Sequence, residues 1–198
     1  MAKNNNNERK PFRIPVTLTD EEREILLKMP NPRCPTGLRN LCMLRLMLNL
    51  GLRASEVLNL KIKDIDWMSG KLMVRQGKNK RDRTLWLNED DLELLRKWRE
   101  KKPEGELLFT TLKGGSIDDR YLRAMVDRLA KKAGIDKNVH PHTLRHTFAT
   151  DLYAETLNLR MIQKALGHSS VQSTQIYTHI NPQDLVNRMW ESSSNTNN

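Results

Sequence analysis

The sequence lacks a long apolar run, a secretory signal and a cysteine framework, and each absence excludes a class of protein. The longest apolar stretch is far shorter than the roughly 18 residues of a membrane-spanning helix, and no lipidation motif is visible. The two cysteines, Cys34 and Cys42, lie in or beside one helical pattern and do not form a metal-binding pair. We therefore expect a cytoplasmic protein that does not associate with a membrane.

Positive charge is what the sequence has in excess. Lysine and arginine residues number 34 against 24 aspartate and glutamate residues, which gives a formal net charge of +10. Such an excess favours a polyanionic partner, of which nucleic acid is the first candidate and an anionic membrane the alternative. With 198 residues, 37% of them hydrophobic, the chain suits one domain with a core of its own.

Helical signals dominate the chain. Thr19 and Glu22 form a capping box at the start of a first helix, and Gly51 follows a second helix as its C-terminal cap. Asn88 and Ser116 are placed to begin two later helices. The part of the chain after residue 140 has the spacing of three or four more helices.

One small β element interrupts the helices. Residues 72–76 and 83–87 are rich in extended-structure formers and flank a glycine-containing turn, so they predict a β-hairpin. The fold class that we expect is mainly α with a small antiparallel β-sheet (α+β). The domain should cover residues 13–191, between a disordered leader (residues 1–12) and a polar tail (residues 192–198).

The turn of the predicted hairpin is strongly basic. Six basic residues and one acidic residue occur from Lys71 to Arg83. Lys80, Arg81 and Arg83 are predicted to contact nucleic-acid phosphates, although such a run is also typical of a merely solvated surface. Lys78 is a candidate for a different role, because neighbouring cations lower the pKa of a lysine and prepare it to donate a proton.

All five histidines lie between residues 140 and 179, an uneven distribution for residues scattered by packing alone. His142 and Arg145 are three positions apart and should project from one face of a helix. An imidazole beside a guanidinium suits a phosphate, because arginine donates two hydrogen bonds in a plane and histidine exchanges a proton near neutral pH. A surface helix with unrelated polar residues is the alternative.

The same histidines also allow a zinc site to be considered. His142 and His146 are four positions apart, and His168 or His179 could complete a ligand set. The general-base glutamate of a metalloprotease motif does not follow His142, and Arg145 would repel a cation. We therefore expect no metal.

Two further segments fit a phosphate site. Arg53 follows the helix-ending Gly51, and Glu56 could orient its guanidinium through a charge-assisted hydrogen bond. A solvated charge is the alternative for Arg53. Tyr177 could act as a nucleophile if nearby positive charge favours its phenolate, whereas a buried amphipathic ring is the alternative.

Taken in order along the chain, these segments resemble the motifs of the tyrosine recombinases, the phage integrase family. Five segments are similar to the first-arginine box (residues 51–56), the hairpin lysine (77–78), the His-x-x-Arg box (140–150), the Gly-His box (166–170) and the nucleophile segment (177–179). Five motifs in the family's order, covering the chain from Thr19 to about Trp190, make an accidental similarity improbable.

The resemblance implies a tyrosine-recombinase catalytic domain fold that cleaves and rejoins double-stranded DNA through a 3′-phosphotyrosyl intermediate. It implies no metal and no cofactor, and a homo-oligomer on DNA, a tetramer, formed from a protein that is monomeric when free. The catalytic residues it implies are Arg53, Lys78, His142, Arg145, His168 and Tyr177. Tyr177 is the implied nucleophile, Glu56 is a supporting residue, and His142 is either a base or a phosphate ligand.

Two other functions stay open at this point, namely a type IB topoisomerase and a catalytically silent DNA-binding regulator. Members of the family usually carry a separate helical DNA-binding domain before the catalytic one. We expect that domain to be absent, because only about twenty residues precede the first helix. The chain is then either a small natural recombinase or the catalytic fragment of a longer integrase, and its last helix packs either on its own core or on a neighbouring protomer.

Overall fold

A computed structural model describes residues 15–75 and 82–167. Its elements, in chain order, are α1 (Asp20–Lys28), α2 (Pro35–Leu50), α3 (Ala54–Leu58), a short 3-10 helix (Ile62–Asp64), β1 (Lys71–Val74), β2 (Arg83–Trp86), α4 (Glu89–Lys101), α5 (Asp119–Lys132), α6 (Pro141–Thr156) and α7 (Leu159–Leu166). The prediction of a mainly helical fold with a small antiparallel sheet is confirmed. No helix in these two ranges is long and apolar enough to cross a membrane. The predicted leader and tail lie outside the described residues.

Several helix boundaries fall where the capping residues placed them. The Thr19 hydroxyl accepts a hydrogen bond from the Glu22 N–H at 3.2 Å, and the Glu22 carboxylate accepts the Thr19 N–H at 2.8 Å. The Asn88 side chain accepts the Asp91 N–H at 2.7 Å and begins α4. Each bond satisfies an N–H group that has no partner inside the helix.

The prediction that Ser116 begins a helix is wrong, since α5 begins two residues later. Asp118 is its N-cap, and the Asp118 carboxylate accepts the Tyr121 N–H at 2.6 Å. Ser116 instead pairs with Thr110 in an isolated antiparallel bridge. That pairing holds Ser116 in extended backbone, so the next residue with a capping side chain begins the helix.

The two strands pair antiparallel, with Lys71 opposite Trp86 and Val74 opposite Arg83. Burial alternates along β2, because successive side chains of a strand point to opposite faces. Arg83 and Leu85 point toward the interior, whereas Thr84 and Trp86 are exposed. The basic turn that joins the strands lies outside the described residues.

The core is built around α2, which packs against α1, α3, α4 and α6. Leu44, Met47 and Trp98 are fully buried there, and the Trp98 indole donates a hydrogen bond to the Leu108 carbonyl at 2.8 Å. A large apolar ring whose one polar atom is satisfied stabilises a core strongly. A second, smaller cluster joins α6 to α7.

A polar chain crosses the helices beside this core. The Asn49 amide donates to the Asp91 carboxylate at 2.8 Å, and Arg23 bonds both Asn49 at 2.9 Å and Asp151 at 3.1 Å. The chain thereby connects α1, α2, α4 and α6. Partly buried polar groups that are hydrogen-bonded in this way resist rearrangement, so they help to set the position of α6 against α2.

Gly51 allows the end of α2 to approach α6 closely. Its backbone is left-handed, with φ of +62°, and it caps α2. A Cβ atom at this position would lie 2.3 Å from Cδ1 of Phe148 and 2.9 Å from Cδ2 of Leu166. Only a residue without a side chain fits this contact.

Gly51→Ala should therefore destabilise the protein more than Gly134→Ala. Gly134 has the same left-handed backbone, with φ of +70°, but nothing within 4 Å of its Cβ position. The backbone strain of alanine, about 1 kcal/mol, is shared by both variants. The contact with Phe148 should add about 1–3 kcal/mol at Gly51 alone. Urea unfolding followed by circular dichroism measures both losses, and equal losses would contradict the close contact.

Candidate active site

Arg53 stands at the start of α3, held there by Glu56. Its backbone N–H donates to Oε2 of Glu56 at 2.8 Å, and its Nη1 donates to Oε1 at 2.7 Å. The second of these is the charge-assisted hydrogen bond by which Glu56 was predicted to orient the Arg53 guanidinium. The Arg53 side chain remains 28% exposed, so its guanidinium is both oriented and accessible.

The Glu56 carboxylate collects guanidinium groups from three separate segments. Besides Arg53, Arg83 of β2 donates Nη1 to Oε1 and Nη2 to Oε2, both at 2.8 Å. Nη1 of Arg145 in α6 lies 3.9 Å from Oε2. The Glu56 side chain is only 6% exposed. We call Glu56, Arg53, Arg83 and Arg145 the arginine cluster.

Arg145 is fixed by two backbone carbonyls as well. Its Nη1 donates to the carbonyl of Gly51, and its Nη2 donates to the carbonyl of Leu166 at 2.7 Å. The close approach of α6 to Gly51 makes the first of these bonds possible. A planar guanidinium anchored at two points has a defined orientation.

The electrostatics of the arginine cluster favour an anion. Burial alone raises the pKa of Glu56, but the hydrogen bonds and charge of Arg83, together with the hydrogen bonds of Arg53, lower it to about 2. Glu56 is therefore ionised at neutral pH, and three positive charges face one negative charge. The excess of positive charge, already held in place, suits a phosphate group that bears developing negative charge.

His142 lies beside the arginine cluster, across a shared cleft. The cleft has a volume of about 680 Å³ and is lined by Arg53, His140, His142 and Arg123, among others. Burial lowers the pKa of His142, and the positive charges of His140, Arg145 and Arg123 lower it further. His142 is thus mostly neutral at pH 7, the form that can accept a proton.

The zinc alternative rested partly on residues outside the described ranges. No group of three metal-binding side chains occurs among residues 15–75 and 82–167. His146 is half-buried, and burial, followed by the charges of His142 and Arg145, lowers its pKa to about 4.

Arg83 is placed differently from the prediction that it contacts DNA. Its side chain is 7% exposed, and its guanidinium is bound to Glu56 and to the Ala165 carbonyl, the latter at 2.7 Å from Nε. A phosphate would have to displace these partners to reach it. The sequence carries a signal for this burial, because Arg83 shares its strand face with the inward-pointing Leu85.

The structure thus brings together Arg53, Glu56 and Arg145 and places His142 at the same cleft. Arg123 and His140 line the cleft too, although no role was predicted for either from the sequence. Five predicted site residues lie outside the described ranges, namely Lys78, Lys80, Arg81, His168 and Tyr177.

A family model described as the phage integrase family matches residues 16–184, which is most of the chain. The chain belongs to the phage integrase family. The resemblance seen in the sequence is thereby confirmed. Within the family, tyrosine recombinase XerC of Oceanobacillus iheyensis is 35% identical over 184 residues, covering 87% of this chain and 59% of the relative. Tyrosine recombinase XerD of Halalkalibacterium halodurans is 37% identical over 176 residues, covering 85% and 58%.

Solved structures of the family agree with the fold. The crystal structure of XerA recombinase superposes with a TM-score of 0.78 at 33% identity and covers 92% of this chain and 66% of its own. XerH site-specific recombinase, bound to a palindromic difH substrate, gives a TM-score of 0.76 at 34% identity, with 90% and 54% covered. The chain spans about three fifths of the length of the curated relatives named above.

Replacing the buried carboxylate should change how stability depends on pH. The pKa of Glu56 is about 2 in the folded protein against an ordinary value of 4.5, so its stabilising contribution is complete above about pH 4.5. That contribution is lost as the pH falls through about 2, and the shift is worth about 3 kcal/mol. In Glu56→Gln the free energy of unfolding should lack this fall between pH 4 and pH 2, because glutamine does not titrate. Urea unfolding at pH 4, 3 and 2 measures it.

The comparison is made below pH 4 because His146 contributes at higher pH. Its lowered pKa of about 4 makes its contribution fall away between about pH 6.5 and pH 4. A direct check is the carboxyl carbon NMR titration of Glu56 in the unaltered protein. Parallel stability curves for the two proteins between pH 4 and 2, or a Glu56 midpoint near 4.5, would show that the cluster does not hold an ionised carboxylate.

Proposed function

We propose that residues 13–191 form the catalytic domain of a tyrosine-type, site-specific DNA recombinase. The observation that carries the proposal is the placing of Arg53 and Arg145 against one buried carboxylate, beside a cleft lined by His142. Two guanidiniums held in advance at one point can bind the nonbridging oxygens of a phosphodiester. Family membership and the relatives named tyrosine recombinases support the same function.

In the proposed reaction, the phenolic oxygen of Tyr177 attacks the phosphorus of one DNA strand. A bond forms between that oxygen and phosphorus, and the bond from phosphorus to the 5′-oxygen breaks. The products are a 3′-phosphotyrosyl linkage and a free 5′-hydroxyl. Lys78 supplies the proton to the departing 5′-oxygen. The tyrosine proton passes to His142 if His142 is the base, or to solvent if His142 is instead a phosphate ligand.

Arg53, Arg145 and His168 hold the nonbridging oxygens while negative charge builds on the pentacoordinate phosphorus. Rejoining is the reverse step, in which the 5′-hydroxyl of a partner strand attacks the phosphotyrosyl linkage. The covalent intermediate keeps the free energy of the phosphodiester. The proposed reaction therefore needs neither ATP nor a metal ion.

Double-stranded DNA is the proposed substrate, contacted along its backbone by Lys80 and Arg81. The net charge of +10 supports a polyanionic partner, and the relative XerH has been solved with its difH substrate. Exchange between two duplexes cuts and rejoins four strands, and each protomer has one Tyr177. We therefore propose a tetramer on DNA, a monomer when free, and a cytoplasmic location.

Tyr177→Phe should abolish covalent attachment to DNA, because the phenyl ring has no attacking oxygen. Nicked suicide duplexes tiled across the DNA that flanks the gene serve as probes, and the adduct is detected by denaturing gel electrophoresis. Tyr153→Phe, at a half-buried tyrosine of α6, is the matched control and should form the adduct normally.

Three results would contradict the proposed function or its nucleophile. Adduct from Tyr177→Phe would exclude Tyr177 as the nucleophile, and no adduct from the unaltered protein would favour a catalytically silent regulator. Plasmid relaxation without site preference would favour a topoisomerase.

Lys78→Ala should slow cleavage by about 100- to 10,000-fold on an ordinary substrate, because the leaving 5′-oxygen then departs without a proton. A 5′-bridging sulfur leaves without protonation, so it should restore most of the rate. Lys80→Ala is the control and should slow both substrates alike. Single-turnover rates at saturating DNA measure the effect. If sulfur fails to restore the rate of Lys78→Ala, Lys78 is not the acid.

A further inference from the structure

Arg83 is a buried arginine that joins three parts of the fold. From the first residue of β2 it reaches Glu56 of α3 with both terminal nitrogens at 2.8 Å, and it reaches the Ala165 carbonyl of α7 with Nε at 2.7 Å. The parallel pair of bonds to Glu56 is the strongest geometry available to a carboxylate and a guanidinium. Such contacts fix the plane of the carboxylate.

The contact with α7 places Arg83 next to Arg145. Arg145 donates Nη2 to the Leu166 carbonyl at 2.7 Å, one residue along from the Arg83 partner. The last carbonyls of a helix have no partner within it and carry partial negative charge. Both guanidiniums are thus held between the same carboxylate and the same helix end.

Three guanidiniums lie near the Glu56 carboxylate, and the paired hydrogen bonds from Arg83 set the orientation of that carboxylate. Because Arg83 occupies both carboxylate oxygens, Arg145 stays 3.9 Å from Oε2 and spends its donors on the Gly51 and Leu166 carbonyls. Without Arg83, the carboxylate would be drawn toward Arg53 and Arg145. Arg53 would then share the carboxylate with Arg145, and both guanidiniums would shift from their present positions.

We infer that Arg83 is a positioning residue, which orients the phosphate-binding guanidiniums of Arg53 and Arg145 through Glu56 and does not contact DNA itself. The inference rests on the proposed function, since it names what the arginine cluster prepares Arg53 and Arg145 to bind. Direct contact with DNA is the rival explanation. It would require a phosphate to displace Glu56 and leave a buried carboxylate without its partner.

The test compares Arg83→Lys and Arg83→Gln with Lys71→Gln, which removes one charge from the exposed face of the neighbouring strand. Single-turnover cleavage of the tiled suicide duplexes should be slower by about 100-fold in Arg83→Gln, since small misplacements of binding groups cost that much. Arg83→Lys keeps the charge but not the paired bonds, so it should recover only part of the rate. Lys71→Gln should cleave as the unaltered protein does.

Two measurements separate positioning from contact. The logarithm of the affinity for a 30-base-pair duplex, plotted against the logarithm of the salt concentration, should keep its slope in Arg83→Gln, the variant that removes the charge. A lost phosphate contact would instead reduce the slope by about 1. The carboxyl NMR titration should move the pKa of Glu56 upward in Arg83→Gln, because Arg83 is the largest cause of its lowering. A reduced salt slope with an unchanged Glu56 titration would overturn the inference.

The same variants of Arg83 and Lys71 distinguish two further outcomes. If the Arg83 variants are less stable but cleave at the normal rate below their unfolding temperature, Arg83 is structural only and the inference fails.

If the unaltered protein forms no adduct, the proposed function fails, and the inference about Arg83 is then tested with inorganic phosphate as the probe. Its binding, followed at the side-chain N–H signals of Arg53, should weaken about 10-fold or more in Arg83→Lys if Arg83 positions the site. Unchanged phosphate binding would reject the inference.

Discussion

One buried carboxylate is the constraint on which the rest of the site depends. Glu56 satisfies guanidiniums that come from the start of α3, the start of β2 and the first half of α6. Positive charges of this density repel one another strongly in the interior of a protein. A single ionised carboxylate among them removes most of the repulsion and still leaves an excess of positive charge for an incoming phosphate.

The scaffold serves this carboxylate by holding α6 against α2. The polar chain from Asp91 to Asp151 aligns the helices, and the missing side chain of Gly51 lets them touch. The same glycine offers its carbonyl to Arg145. Gly51 therefore serves both the packing of α2 against α6 and the placement of Arg145, so a substitution there would also move the Arg145 guanidinium.

Local relationships in this protein could be predicted from the sequence, and long-range ones could not. Two of the predicted features, the capping box at Thr19 and the bond from Arg53 to Glu56, join residues three positions apart. A third, the glycine cap at position 51, depends on the backbone angles of one residue. The start of α5 was missed because the bridge between Thr110 and Ser116 decides it. Spatial proximity of Arg53 and Arg145 followed only from resemblance to a family.

Arg83 shows a different limit of prediction. It belongs by composition to a run of basic residues, and such a run is usually solvated or bound to phosphate. Its burial follows from strand alternation and from a carboxylate 27 positions earlier, whose position depends on the complete fold. Net charge along the sequence therefore overstated the basic surface offered by the hairpin, because one of its cations is consumed inside the protein.

The contributors to the arginine cluster are spread over more than 90 positions of the chain, from Arg53 to Arg145. A chain that ends before Arg145 cannot assemble the complete cluster. The excess of positive charge around Glu56 therefore exists only where all of these segments have folded together. Damage to the contact between α2 and α6 would disperse the cluster even where each helix stays intact.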